Sequence, residues 1–133
     1  MTFELSFEKT YRVLKLAFRG EFTVEDLDAI DPAVLRFMAG AGREVDGVRC
    51  LYDMTAVTAL SVPQGRFAQR ARVPPPLQFG RVVVPFPGAP EDFGKSYRAM
   101  RGVTAHEQPL IVPSLAVAYG YLGIGETPHF ALV

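Results

Sequence analysis

Asp53, Thr55, Thr58 and Ser61 fall within one stretch, LYDMTAVTALSVPQG, that begins as an apolar run at Leu51. A carboxylate followed by three hydroxyls could bind a ligand or carry a phosphate if it stood at the carboxyl end of a parallel strand, where α/β sites gather. The same side chains also satisfy backbone donors in the turn between a strand and a helix. The two roles can coexist, and turn chemistry is the simpler. Pro63 then marks a helix start, followed by Gln64, Arg66 and Arg70. Arg66 and Arg70, four apart, share a helix face. With Arg72, Lys95, Arg98 and Arg101 they could form a basic rim for a phosphate, an acidic lipid headgroup or an acidic protein. Solvated helix surface is the simpler reading of that cluster.

Other chemistry is poorly supplied. The histidines are His106 and His129. HEQPL opens like a zinc-protease motif but lacks the second histidine and meets Pro109. GYLGIG follows a helix pattern, not a strand, so it is no dinucleotide fingerprint. No G-x-S-x-G elbow occurs. The sequence therefore predicts no catalytic residue, no metal ligand set and no cofactor: not an enzyme. Cys50, the single cysteine, excludes an intrachain disulfide and reads as a buried structural thiol inside GVRCLY. The 10 Phe and 5 Tyr include Phe67, Phe79, Phe86, Phe93, Tyr97 and Tyr119. They pack a core or line an apolar pocket; Phe67, Phe93 and Tyr97 are the candidates for ligand contact.

These residues belong to a chain of 133 residues, 49% hydrophobic and 21% charged, with a formal net charge of +0. That length suits one domain, and the composition is globular. Neutral balance gives no footprint for nucleic acid, while near-zero charge favours self-association. The N-terminus lacks a basic segment followed by an apolar run, and no apolar run approaches the roughly 20 residues of a membrane span. A cytoplasmic protein is expected.

The elements that must position the candidates follow from periodicity. Phe3, Leu5 and Phe7 alternate, as does YRVLKLAFRG, predicting an antiparallel hairpin. Thr23 caps a helix carrying Val24, Leu27, Ile30, Val34, Leu35 and Met38; Pro32 predicts a kink or two abutting helices. GVRCLYD reads as a central strand that ends at Asp53 in a polar bend. SVPQGRFAQRAR reads as a helix closed by Pro74, Pro75 and Pro76. RVVVPF is a buried strand, and Pro90 starts a helix with Phe93, Tyr97 and Met100 on one side. PLIVPS is the fifth strand, and Ser114 caps a last helix through LAVAYGYLG. The tail ETPHFALV is left as either disordered or covering an edge. Alternating strands and helices imply parallel neighbours with right-handed crossovers.

FRGEFTVEDL (18–27) and CLYDMTAVTALSVPQG (50–65) resemble STAS domains, in particular the SpoIIAA-like branch. DFGKSYRAM (92–100) resembles that branch's aromatic helix, and SLAVAYGYLG its closing helix, with Tyr121-Leu122 where Trp-Leu is usual. The likeness covers nearly the whole chain. It implies an α/β fold: a SpoIIAA-like mixed five-stranded sheet with an N-terminal antiparallel hairpin and about four helices, one domain over 1–125 with a tail over 126–133. It also implies a non-enzymatic regulatory or protein-interaction module, with Asp53, Thr55, Thr58, Ser61, Gln64, Arg66 and Arg70 facing a partner or anion. The family's phosphorylated Asp-Ser pair falls on Ser61-Val62, so the usual phosphoacceptor does not carry over; charge at Ser61 or Thr58 stays open as a switch. The alternative is a binder or carrier of a small apolar or lipid-like ligand, as in the structurally related CRAL-TRIO fold. A homodimer through the hairpin edge or the Pro-rich loop is a third possibility.

Overall fold

The computed structural model describes residues 3–41, 46–71, 75–77, 80–87, 109–125 and 128–133. The chain runs β1 (Phe3–Glu8), β2 (Val13–Thr23), α1 (Val24–Ala41), β3 (Arg49–Ser61), α2 (Gln64–Ala71), β4 (Arg81–Val84), β5 (Leu110–Ile111), α3 (Leu115–Leu122) and β6 (Ala131–Leu132). Among the described residues the sheet has six strands, not the expected five, in the order β5-β4-β3-β2-β1-β6. β2 through β5 run parallel, and β1 pairs antiparallel with β2 and with β6. The sixth strand comes from the tail, which covers the β1 edge: Leu132 lies opposite Ser6 and Ala131 opposite Phe7. Its signal is only two residues long, too short for period-two alternation to register.

Alternation along the central strands builds a core on each face. Leu14, Leu16, Cys50, Tyr52, Met54 and Val83 meet Leu27, Ile30, Ala33 and Val34 of α1 and Phe67 of α2. Val13, Leu51, Val82 and Val84 meet Ala118 and Leu122 of α3 on the opposite face. β4 is buried throughout, as its unbroken apolar run predicts for an interior parallel strand.

α1 starts at a reciprocal cap. The Thr23 amide and hydroxyl both donate to Asp26 Oδ2, at 2.9 and 3.0 Å, and the Asp26 amide returns to Thr23 Oγ1 at 3.4 Å. Asp26 stands where a capping box usually has Glu or Gln. Pro32 does not divide the region into two helices: α1 is a single element that contains it. Pro32 is exposed, while the buried stripe of Leu27, Ile30, Ala33 and Val34 runs past it on the sheet side. α3 begins at Ser114, whose hydroxyl accepts the Val117 amide at 3.2 Å, and ends at Gly123 with φ of 71°. The glycine in GYLG thus serves as a left-handed C-terminal stop. Three helices lie among the described residues; the helix expected from Pro90 lies outside them.

The largest correction concerns the stretch from Asp53 to Ser61, which is strand and not a bend. β2 pairs with β3 from Val13 opposite Arg49 to Thr23 opposite Ser61, with register shifts between Ala17 and Arg19 and between Gly20 and Glu21. β3 uses 13 residues against 11 in β2, so bulges on β3 absorb the difference. Gly20, with φ of 69°, sits at the second shift. Apolar residues at Met54 and Val57 keep this half of the strand attached to the core.

Glu8 and Gly80 fix two junctions. The buried Glu8 carboxylate accepts the Thr10 amide at 3.0 Å and the His129 amide, joining the hairpin turn to the approach of β6. Gly80 precedes β4 with φ of 67°, and a Cβ there would lie 2.4 Å from Arg49 Cγ. Arg49 in turn donates from Nη2 to the Leu122 carbonyl at 2.7 Å, closing the end of α3. Gly80→Ala should therefore lower stability by about 1–3 kcal/mol in a urea titration, through both the left-handed backbone and the displaced arginine. An unchanged midpoint would show that Arg49 can move aside at no cost.

Candidate functional site

Four of the seven polar candidates lie on β3 and three on α2. Asp53 points to the α3 face. Its Oδ1 accepts the Thr55 amide at 3.0 Å and the Thr55 hydroxyl at 2.6 Å. Its Oδ2 lies 3.7 Å from Lys15 Nζ, with the two side chains only 18% and 11% exposed. Lys15 also donates to Tyr119 Oη at 3.4 Å and stands 5.0 Å from the centre of the Phe130 ring. Asp53 is thus the acceptor of a cluster that joins β2, β3, α3 and the segment before β6. Sequence reasoning did not single out Lys15. The usable signal was a lone cation inside the apolar strand VLKLAF, which needs a buried partner.

Beyond Asp53 the strand becomes a solvent-facing strip. Thr55, Ala56, Thr58, Ala59 and Ser61 are exposed. The Ser61 hydroxyl donates to Glu21 Oε1 across the β2–β3 pair. Val62 and Pro63 link Ser61 to α2, where the Arg66 amide donates to the Pro63 carbonyl at 2.9 Å. Gln64 opens α2 as expected.

Arg66 and Arg70 do not make a basic surface. Arg66 Nη2 bonds both carboxylate oxygens of Asp28, at 2.6 and 2.7 Å, and Arg70 Nη2 bonds Asp31 Oδ1 at 3.0 Å. Two arginines one turn apart on α2 face two aspartates on α1, so each guanidinium already has a carboxylate. The sequence signal was Asp28 and Asp31, three apart on one side of α1; what it lacked was the neighbouring helix. Arg72, Lys95, Arg98 and Arg101, the rest of the expected rim, lie outside the described residues.

Phe67 inserts between the two arginines into the apolar core. Beneath α2 is a cavity of about 40 Å³ lined by Phe18, Phe22, Tyr52, Met54 and Phe67, with Arg70 and Arg81 at its wall. That is room for a water or two, against the roughly 300 Å³ or more of an organic-ligand pocket. Of the three ligand-contact candidates it takes Phe67; Phe93 and Tyr97 lie outside the described residues. Cys50 and Tyr52 lie on the same face of the sheet. Burial pushes the Cys50 thiol up from 9.0 to about 12, against an opposing hydrogen bond from Tyr52 and the nearby Arg81 and Arg70 charges. Burial also raises the Tyr52 phenol, followed by the effect of charge on Cys50. A thiol held protonated in this way is a packing group, as its place in GVRCLY suggests. Among the described residues no group of three or more His, Cys, Asp and Glu could hold a metal ion, and no described helix is long and apolar enough to cross a membrane.

Two outcomes follow from these buried groups. Lys15→Met should cost about 1–3 kcal/mol in chemical denaturation because it strands Asp53; adding Asp53→Asn should recover part of that loss. A double variant no better than the sum of the singles would show that the pair is uncoupled. For Cys50 the folded value is raised, so unfolded chains lose the thiol proton first. The thiol's contribution to stability is fully present below pH 9 and is lost as pH rises towards 12. Stability measured between pH 8.5 and 10.5 should fall more steeply for wild type than for Cys50→Ala, and equal slopes would refute the burial account.

No family model, curated protein or solved structure matches this chain.

Proposed function

We propose that the chain is a non-enzymatic regulatory module of SpoIIAA-like type, and that it docks a partner protein on the end of β3 and the adjoining α2. The observation that carries this reading is the overhang of β3. Its pairing with β4 stops at Asp53 opposite Val84, whereas β3 itself continues to Ser61, paired among the described residues with β2. Exposed hydroxyls at Thr55, Thr58 and Ser61 therefore stand on an extended strand that leads directly into a short helix. Such a strip offers backbone and hydroxyl groups to a protein surface and no enclosed volume to a substrate.

The arrangement also supports a response to charge. Ser61 Oγ bonds Glu21, so a phosphate or carboxylate at residue 61 would face an acid across the β2–β3 pair. Repulsion would reshape the strip without touching the core. The resemblance to the SpoIIAA-like branch supports the same reading through its regulatory role, although the acceptor residue differs. The space of about 40 Å³ beneath α2, as the described residues line it, does not itself favour an apolar-ligand carrier.

The test is affinity capture from the source cells with wild type, Ser61→Asp, Arg66→Glu and, as a control at an exposed position on α3, Val117→Asp. A partner that docks as proposed is recovered with wild type and Val117→Asp and falls at least about fivefold with the other two. Recovery of the same proteins in the same amounts with all four would remove the proposed face.

A further inference from the structure

Helix α2 has eight residues, Gln64–Ala71, well under the length at which a helix holds itself together in water. Three of its described side chains, on one face, tie it to its surroundings. Arg66 and Arg70 reach across to Asp28 and Asp31, and Phe67 between them is 6% exposed and enters the core. Alongside them lies a groove of about 250 Å³ between the helices, lined by Leu27, Asp28, Asp31, Arg66, Gln69 and Arg70. Below Phe67 lies the small apolar cavity whose far wall is Tyr52 and Met54. A short helix, two ion pairs and one aromatic plug over an incompletely filled space are the parts of a hinged cover.

We infer that α2 is a charge-latched flap: Asp28 and Asp31 hold it down through Arg66 and Arg70, and loss of those two pairings lets it lift and open the apolar face of the sheet beneath. The chemistry that would release it is a competing carboxylate surface, because guanidinium exchanges one carboxylate for another at little cost. Arg66 is the accessible half of the latch, with its side chain 40% exposed; Arg70 and Asp31, at 18% and 30%, are the guarded half. Local opening of this kind needs less free energy than unfolding the sheet, because it exposes one aromatic residue and one helix turn's worth of packing. The latch holds whether or not the β3 strip is the docking face.

Cys50 is a built-in reporter of the opening. It is the chain's single thiol, 0% exposed, in the same core cluster as Phe67. The experiment compares wild type, Asp28→Asn/Asp31→Asn and the swapped pair Asp28→Arg/Arg66→Asp. Thiol labelling of Cys50 and amide hydrogen exchange are followed under native conditions. The inference expects the double Asn variant to exchange α2 amides and label Cys50 about tenfold faster, while amides of α1 and β2 stay within about twofold of wild type. The swapped pair should return both rates towards wild type. Unchanged rates in the Asn variant would show that Phe67 alone holds α2. A uniform rise across α1, β2 and α2 would show that α2 opens only with the whole domain. Fast rates that persist in the swapped pair would show that charge pairing is not the latch. Each of these three results overturns the inference.

Discussion

Val13 meets Arg49 and Thr23 meets Ser61, and the long parallel pairing between those limits carries the rest of the molecule. β1 and β6 extend the sheet from β2, and β4 and β5 extend it from β3. α1 connects the top of β2 to the start of β3, so its buried stripe must cross the face that both strands share. The bulges are what allow the pairing to run so far. Met54 and Val57 are three residues apart, so unbroken alternation would put them on opposite faces; the bulge between them returns Val57 to the core face that Met54 already shares.

A second constraint is the economy of charge. Lys15, Asp53, Glu8 and Asp26 are taken from water, and each has an identified use: an ion pair, two amides across a turn, or a helix cap. Arg66 and Arg70 are likewise committed to acids on α1. These described charges hold elements to one another. The hydroxyls on the outer half of β3 stand exposed beside α2.

Much of the fold was legible in the residues. Period-two alternation in Phe3–Phe7 and YRVLKLAFRG marked the hairpin, Thr23 and Ser114 marked helix starts, and the unbroken RVVV marked an interior strand. Those signals are local: cap, turn and side-chain period act over a few residues. The β3 extension was misread because Thr, Ser and Asp carry the same signature in turns as on the solvent face of a strand. Only β2, more than thirty residues earlier, distinguishes the two by supplying its amides and carbonyls. The sixth strand was left open between two options for a related reason, since its evidence is the edge of β1 and not its own two residues.

The site shows the same division. Residue types alone pointed Cys50 to the interior and Phe67 to an apolar face, where the structure has them. Spacing alone placed Arg66 and Arg70 on one side of a helix. Tertiary structure decided what those arginines face. Asp28 and Asp31 neutralise them because α1 and α2 cross the same sheet surface as neighbours. It also decided that Asp53 answers Lys15, because parallel register sets the two side chains near each other on the α3 face. Local sequence specifies which groups a residue offers; the pairing of distant strands specifies which groups meet, and electrostatic partnership depends on meeting.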